Sequence, residues 1–328
     1  MQKSTTRLLK ALSFSALALS ASSYAALIPS ATYYGNVGMS TDGWGGTSNS
    51  GVISASVEAG STVLAAYLYT ATQGSTFTPS VALDGVNVTF GPEVTNPSLT
   101  HTGMHKADVT SIVKSTIEAG PGGVYNFSIE ELVGGADVDG SGLVIVYENS
   151  SLPVASVGLL DGFSDILGDS TSINFANPLD PTQPGFFADM VLGIGFSCCN
   201  QASDVSVNGT LITENAGGFD DGENLANGSL ITFGSFDDAY SPFMPTYDED
   251  TERYDLTNYI NVGDTSITID TINPSVDDNI FFAGFYVSGE AGFNAPPPSV
   301  DAPEPGTLAM MGCLLAGLAG FRQRTKQS

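Results

Sequence analysis

Two stretches of ten or eleven residues restrict this chain more than any other feature. SVALDGVNVTF and DVSVNGTLIT each place alternating apolar residues on both sides of a two-residue turn, Asp84-Gly85 and Asn208-Gly209. Asx-Gly pairs tolerate the positive φ that both central positions of a type I′ turn need, and that turn joins antiparallel strands without splaying them. Further strand-like runs are Val63–Thr70, Gly142–Tyr147, Asp189–Phe196, Ser229–Phe233, Ser266–Ile272 and Ile280–Val287. They are rich in Val, Ile and aromatic residues and are bounded by Gly, Pro, Asn and Asp. No long amphipathic helix is evident in the body. The 38 glycines and 13% charged residues suit many short strands joined by turns. The expected fold class is all-β.

The two hairpins also suggest an internal repeat. The first half runs VLAAYLYT, the Asp84-Gly85 hairpin, Asp108-Val109-Thr110, VYNFSI and LVIVY. The second runs DMVLGIGF, the Asn208-Gly209 hairpin, Asp255-Leu256-Thr257, TSITID and FFAGFYV. In each D-x-T stretch the aspartate is placed to cap one short helical turn, with Ile112 or Ile260 packing inward. The hairpins lie 124 residues apart and the D-x-T pairs 147, so the second copy needs loop insertions. This predicts two tandem β-sandwich, jelly-roll-like units over 26–150 and 151–290, or two halves of one large sandwich. The order VLAAYLY, VALDGVNVTF, ADVTSIV, VYNFSI, GLVIVYE, VGLLDGF resembles a β-sandwich module of large bacterial surface proteins. The shared features are the strand order, the D-V-T turn and the late D-G-F; none is a catalytic motif.

Both ends carry addresses. Residues 1–25 have a basic start, an apolar stretch over Leu8–Leu19 and small residues after it, with Ser23 and Ala25 at the −3 and −1 positions of a cleavage site before Ala26. This reads as a signal peptide, and export into an oxidising compartment follows. At the other end, residues 291–302 (AGFNAPPPSVDA) read as a Pro-rich linker that favours extended polyproline II. Residues 303–328 then give Pro303-Glu304-Pro305, fifteen uncharged residues over 307–321, and Arg322, Arg324 and Lys326. As a helix, 307–321 spans roughly 22 Å, short of the ~30 Å hydrocarbon core but within what thinning or snorkelling absorbs. It is expected to be a single short transmembrane helix whose basic end lies on the cytoplasmic side.

This three-part tail resembles the PEP-CTERM sorting signal of Gram-negative bacteria. The resemblance covers about 27 residues and rests on the tripeptide, the short apolar span and the basic end, in that order, at the extreme C-terminus. It implies recognition by a membrane exosortase, cleavage near Pro303-Glu304-Pro305, and release or attachment at the cell surface. It also implies a link to exopolysaccharide and biofilm matrix. Gln323, Thr325 and Gln327 dilute the basic end.

Charge excludes one class of partner. Three basic residues lie at each end, so only Lys106, Lys114 and Arg253 remain between Lys10 and Arg322 to face all 35 acidic residues. The body is therefore more negative than the whole-chain net charge of −26. Such a surface repels nucleic acid and anionic lipid head groups, attracts cations and keeps an exported protein soluble.

Candidate chemistry is sparse. Asp137-Val138-Asp139-Gly140 reads like the start of a calcium loop, with Asp137 and Asp139 as ligands. Glu148 falls at the twelfth position, but Val144–Tyr147 between them reads as a core strand. No other cofactor is expected. The only histidines, His101 and His105, sit in HTGMH. Gly103 breaks the helix that a zinc-protease pair requires, and no glutamate follows His101 to act as base. No G-x-S-x-G elbow is present. Cys198 and Cys199 are adjacent and form either a vicinal disulfide or two separate thiols. Trp44, in DGWGG, is a candidate for stacking on a sugar or a core residue.

The expected function is therefore that of a non-enzymatic cell-surface or extracellular-matrix protein of a Gram-negative biofilm. Signal peptidase and an exosortase process it, the inner membrane holds it transiently, and extracellular polysaccharide is its contact. Two other readings stay open: a secreted carbohydrate-active hydrolase using a carboxylate pair, and a calcium-dependent adhesin.

Overall fold

The computed structural model describes residues 26–296 except 75–76, 98, 100–101, 134–136, 198–201, 219–229 and 277–278. The signal-peptide residues through Ala25, Cys198 and Cys199, the helix at 307–321, and the sorting residues Pro303, Glu304, Pro305, Arg322, Arg324 and Lys326 lie outside them. Among the described residues no helix is long and apolar enough to cross a membrane.

The fold is all-β with several antiparallel sheets. The first strands are β1 (Leu27–Gly35), β2 (Val37–Trp44), β3 (Ser50–Val57), β4 (Thr62–Gln73) and β5 (Ser80–Leu83). Next come β6 (Val86–Asn87), β7 (Val94–Thr95), β8 (Thr102–Asp108), helix α1 (Thr110–Ala119), β9 (Gly123–Val133) and β10 (Val138–Glu148). The second half holds β11 (Ala155–Gly162), β12 (Asp169–Phe175), β13 (Ala188–Gly195), β14 (Ser203–Val207) and β15 (Thr210–Ala216). It ends with β16 (Ile231–Phe233), β17 (Arg253–Asp255), β18 (Ser266–Ile272), β19 (Asn279–Ser288) and β20 (Ala291–Phe293).

The strand order recurs between the two halves. One sheet of the first half runs β2-β10-β4-β8-β7 and the other β3-β9-β5-β6. The second half matches position for position: β11-β19-β13, with β17 on β13, and β12-β18-β14-β15. Leaving out the added strands β1, β7, β16 and β20, each half places its first, eighth, third and sixth strands in one sheet. Its second, seventh, fourth and fifth strands form the other. That is jelly-roll order. In both halves the fourth and fifth strands are the Asx-Gly hairpin, with positive φ at Asp84 (49°), Gly85 (74°), Asn208 (48°) and Gly209 (76°). In both, the D-x-T turn follows the sixth strand. The Thr110 N–H donates to Asp108 Oδ1 (2.9 Å) and the Thr257 N–H to Asp255 Oδ1 (2.8 Å). The first turn extends into the ten-residue α1, longer than the expected single turn, because Val113 and Ile117 fall one helical turn apart and both bury. The second stops as a 3₁₀ turn, Thr257–Tyr259.

The four sheets stack as layers around three cores. One core, with Ile53, Phe127 and Ile145, fills the first sandwich. Another, with Ile173, Met190 and Phe285, fills the second. A third joins the halves, where Val144 and Val146 of β10 meet Val191 and Phe282 of the second half. Strands of the two inner sheets are thus covered on both faces, and β2, β10 and β13 are buried almost throughout. This explains their apolar and small-residue runs, which only Asp42, Asp139 and Asp189 interrupt within the buried stretches. The outer strands β14 and β18 alternate instead.

Phe233 is the wedge between the halves. It stacks on Phe282 at 4.9 Å, and a Cβ at Gly142 of β10 or Gly193 of β13 would strike its ring. Lys106 Nζ reaches across to Asp161 Oδ2 (2.7 Å), where the Tyr69 hydroxyl also donates (3.1 Å).

Strand pairing shifts two expected boundaries. β1 belongs to neither end of the first half; it pairs antiparallel with β11 of the second half, and the chain then enters β2. Residues 291–293 are not linker but β20, paired with β12. The cause is Phe293, which is buried on Gly158 and stacked on Phe285 at 5.8 Å. The two ends of the body consequently meet: Asn294 Nδ2 donates to the Leu27 carbonyl at 3.2 Å.

Candidate functional site

One concavity among the described residues is a cavity of about 390 Å³ beside the connection between the halves. The loop after β12 builds one wall. Its backbone is fixed by Ala176 N–H to Glu290 O (2.9 Å) and Leu179 N–H to Asp264 O (2.7 Å). Asp180 shapes the turn by accepting from the Thr182 N–H (3.0 Å), the Thr182 hydroxyl (2.6 Å) and Gln183 Nε2 (2.7 Å). Those bonds, from Thr182 first and then Gln183, hold the Asp180 carboxyl below its usual range. The floor is Phe175, Leu179 and Phe186, which pack onto the core of the second sandwich. Exposed Asn177 and Gln183 stand at the rim with Asp180 and Glu290. An apolar floor with amides and carboxylates above it suits a small polar ring that has one apolar face. Ser172, Asn174 and Asn294–Pro296 line an adjoining cleft that shares Phe175.

Two carboxylate groupings lie elsewhere. Asp42 on β2 accepts the Gly43 N–H (2.9 Å) and the Ser54 N–H, and the Ser54 hydroxyl donates to exposed Asp237 at 2.9 Å. Burial pushes Asp42 up to about 7; the Ser54 N–H pulls the other way and the Asp237 charge adds to the rise. Asp250 and Glu252 are fully buried, and Tyr254 OH lies 2.7 Å from one and 2.8 Å from the other. The single Tyr254 hydroxyl proton serves one of them at a time. Burial raises Asp250.

The structure separates the two aspartates proposed for calcium. Asp137 is exposed with its carboxyl over Gly74, whereas Asp139 is buried with its carboxyl toward Gly195. Burial pushes Asp139 up to about 7, and burial plus the Asp139 charge does the same to Glu131. Among the described residues no group of three or more His, Cys, Asp or Glu is arranged to hold a metal. Ala26 sits directly before β1, whose Leu27 N–H donates to Asp169 Oδ2 (3.2 Å). Trp44 is buried in the first core with its indole against Gly51, which removes it as a sugar platform. The wall around Asp180 was invisible to sequence reasoning because its members come from three separated segments. The turn run NPLDPTQPG was the available signal. No family model, curated protein or solved structure matches the chain.

Proposed function

We propose that this chain is an exported cell-surface or extracellular-matrix protein, sorted by an exosortase through residues 303–328, with a non-enzymatic body that contacts extracellular glycan. The observation that carries this reading is the ordered tail of Pro303-Glu304-Pro305, apolar span and Arg322/Arg324/Lys326, behind an N-terminal export signal. On this reading residues 1–25 are removed at Ala25–Ala26, and 307–321 crosses the inner membrane until the tail is processed. The double jelly roll is the cargo. The cavity floored by Phe175, Leu179 and Phe186 supports the glycan contact, since a sugar's apolar face suits the floor and its hydroxyls suit the rim.

Mass spectrometry of both termini, on protein from cells with and without the exosortase, tests the proposal. Maturation to Ala26 and a C-terminus near residue 303 that depends on the exosortase is the expected result; an unprocessed chain from residue 1 to 328 in the cytosol defeats it. Phe186→Ala should weaken retention on purified matrix polysaccharide without unfolding the protein. A hydrolase is the second reading, favoured by the buried Asp42 acid beside exposed Asp237. Reducing ends released from that polysaccharide, and lost in Asp42→Asn, would replace glycan binding with turnover.

A further inference from the structure

The inner face of β8 carries an unmet demand for positive charge. His105 is 1% exposed and pairs in register with Thr70 on β4. Its neighbour Met104 faces the core between the halves, so His105 and Gly103 face the first sandwich. The segment Phe90–Glu93 folds over this face. The Phe90 ring meets the His105 ring edge-on at 6.1 Å, and the Gly91 carbonyl lies 3.3 Å from His105 Nδ1. A donor at Nδ1 leaves Nε2 as a lone-pair acceptor. Glu93 lays its carboxyl on Gly103, in space that a Cβ would fill.

His105 Nε2 and Glu93 Oε2 are both buried, and neither has a hydrogen-bond partner among the described residues. The β7–β8 register (Val94↔Met104, Thr95↔Gly103) brings Glu93, just before β7, beside His105 on one strand face, and the Glu93 carboxyl lies over Gly103, two residues from His105. No lysine or arginine among the described residues reaches them. Lys106 points to the opposite face and is bound to Asp161, Lys114 is bound to Glu118, and Arg253 is bound to Asp189. These three are all the Lys and Arg between Lys10 and Arg322. A water bridging the two acceptors would leave the carboxylate charge without a counter-charge.

We propose that His105 Nε2 and Glu93 Oε2 bind a divalent transition-metal cation of the zinc class, with solvent completing its coordination. Imidazole nitrogen and carboxylate oxygen are its usual ligands, at about 2.0–2.2 Å. A ligand histidine characteristically donates its other ring N–H to a backbone carbonyl, the part Gly91 plays here. The cover is thin: Gly91, Pro92 and Val94 are exposed, giving an entry path past Glu93. This site does not depend on the export reading.

The test is a Zn²⁺ titration of the metal-stripped, full exported protein against a competing chelator, with total metal counted per chain. We expect one Zn²⁺ per chain and a rise in melting temperature on loading. Glu93→Gln, isosteric and close to the surface, should weaken binding at least tenfold, and His105→Ala should abolish it. A Cys198→Ser/Cys199→Ser variant should bind like the parent. No stoichiometric binding at micromolar Zn²⁺ overturns the proposal, as does affinity unchanged in Glu93→Gln or lost in the cysteine variant. If His105→Ala fails to fold, Glu93→Gln and the cysteine variant still decide.

Discussion

A carboxyl that must hold its proton to stay buried makes stability depend on pH. Asp139 is pushed up to about 7, chiefly by burial, from an unfolded value near 3.8. The sign follows directly: the folded protein binds the proton more tightly, so the stabilisation is complete below the unfolded pKa and is lost as pH rises through about 7. Glu131 and Asp42 act in the same sense. Asp139→Asn keeps an acceptor for the Phe196 N–H while removing the charge. Its stabilisation over the parent should be small at pH 4 and reach about 2–4 kcal/mol at pH 8, because each tenfold gain in proton affinity on folding corresponds to about 1.4 kcal/mol. Urea denaturation of both proteins at the two pH values measures this, and an equal difference at both would show that Asp139 is not protonated in the fold. The sequence placed Asp139 in an acidic cluster but could not show that its side chain turns inward while Asp137 stays outside. That difference arises at the start of β10, where the pairing with β4 shifts register between Val138 and Gly140.

Hairpins and the D-x-T turns were the most legible elements because their causes are local, although Asp108 and Asp255 sit one residue before the N-caps Val109 and Leu256 rather than at them. The backbone at Asn208-Gly209 takes φ of 48° and 76°, which an L-residue with a β-branched side chain avoids. Asn208→Val should cost about 1–2 kcal/mol, and Asp255→Ala, which removes the acceptor for the Thr257 N–H, about 1 kcal/mol. Both are read from thermal or urea unfolding; unchanged stability in either would mean that the turn is held from outside. Strands β18 and β19 lie where the apolar runs put them, and those runs marked the core. The short elements β7, β17 and β20 were illegible, since two or three residues carry no period and their strand character comes from the partner they lie against. Phe293 illustrates this: next to three prolines it reads as linker, and only Gly158, more than a hundred residues away, gives it somewhere to go.

At the scale of the whole molecule, the repeat was legible but the arrangement of its copies was not. Continuous apolar runs such as GLVIVY announce a strand covered on both faces; they do not say by what. The covering layer is the other half of the chain, fastened by Phe233, by Lys106–Asp161 and by β1, the edge strand of the second half's sheet, from which the chain passes into β2, the edge strand of the first half. Phe233→Ala should therefore cost about 3–5 kcal/mol and weaken coupling between the halves. The parent should unfold in one transition, and the variant should broaden or split it in calorimetry. A variant that melts as sharply as the parent, a few degrees lower, would place the coupling elsewhere. The contact between Leu27 and Asn294 has a mechanical meaning as well. A body whose first and last strands leave from neighbouring points hangs like a pendant from a clasp. On the export reading proposed above, a bilayer that grips the leading end, the trailing end or both pulls at one point of the body, and no tension is threaded through the β-layers.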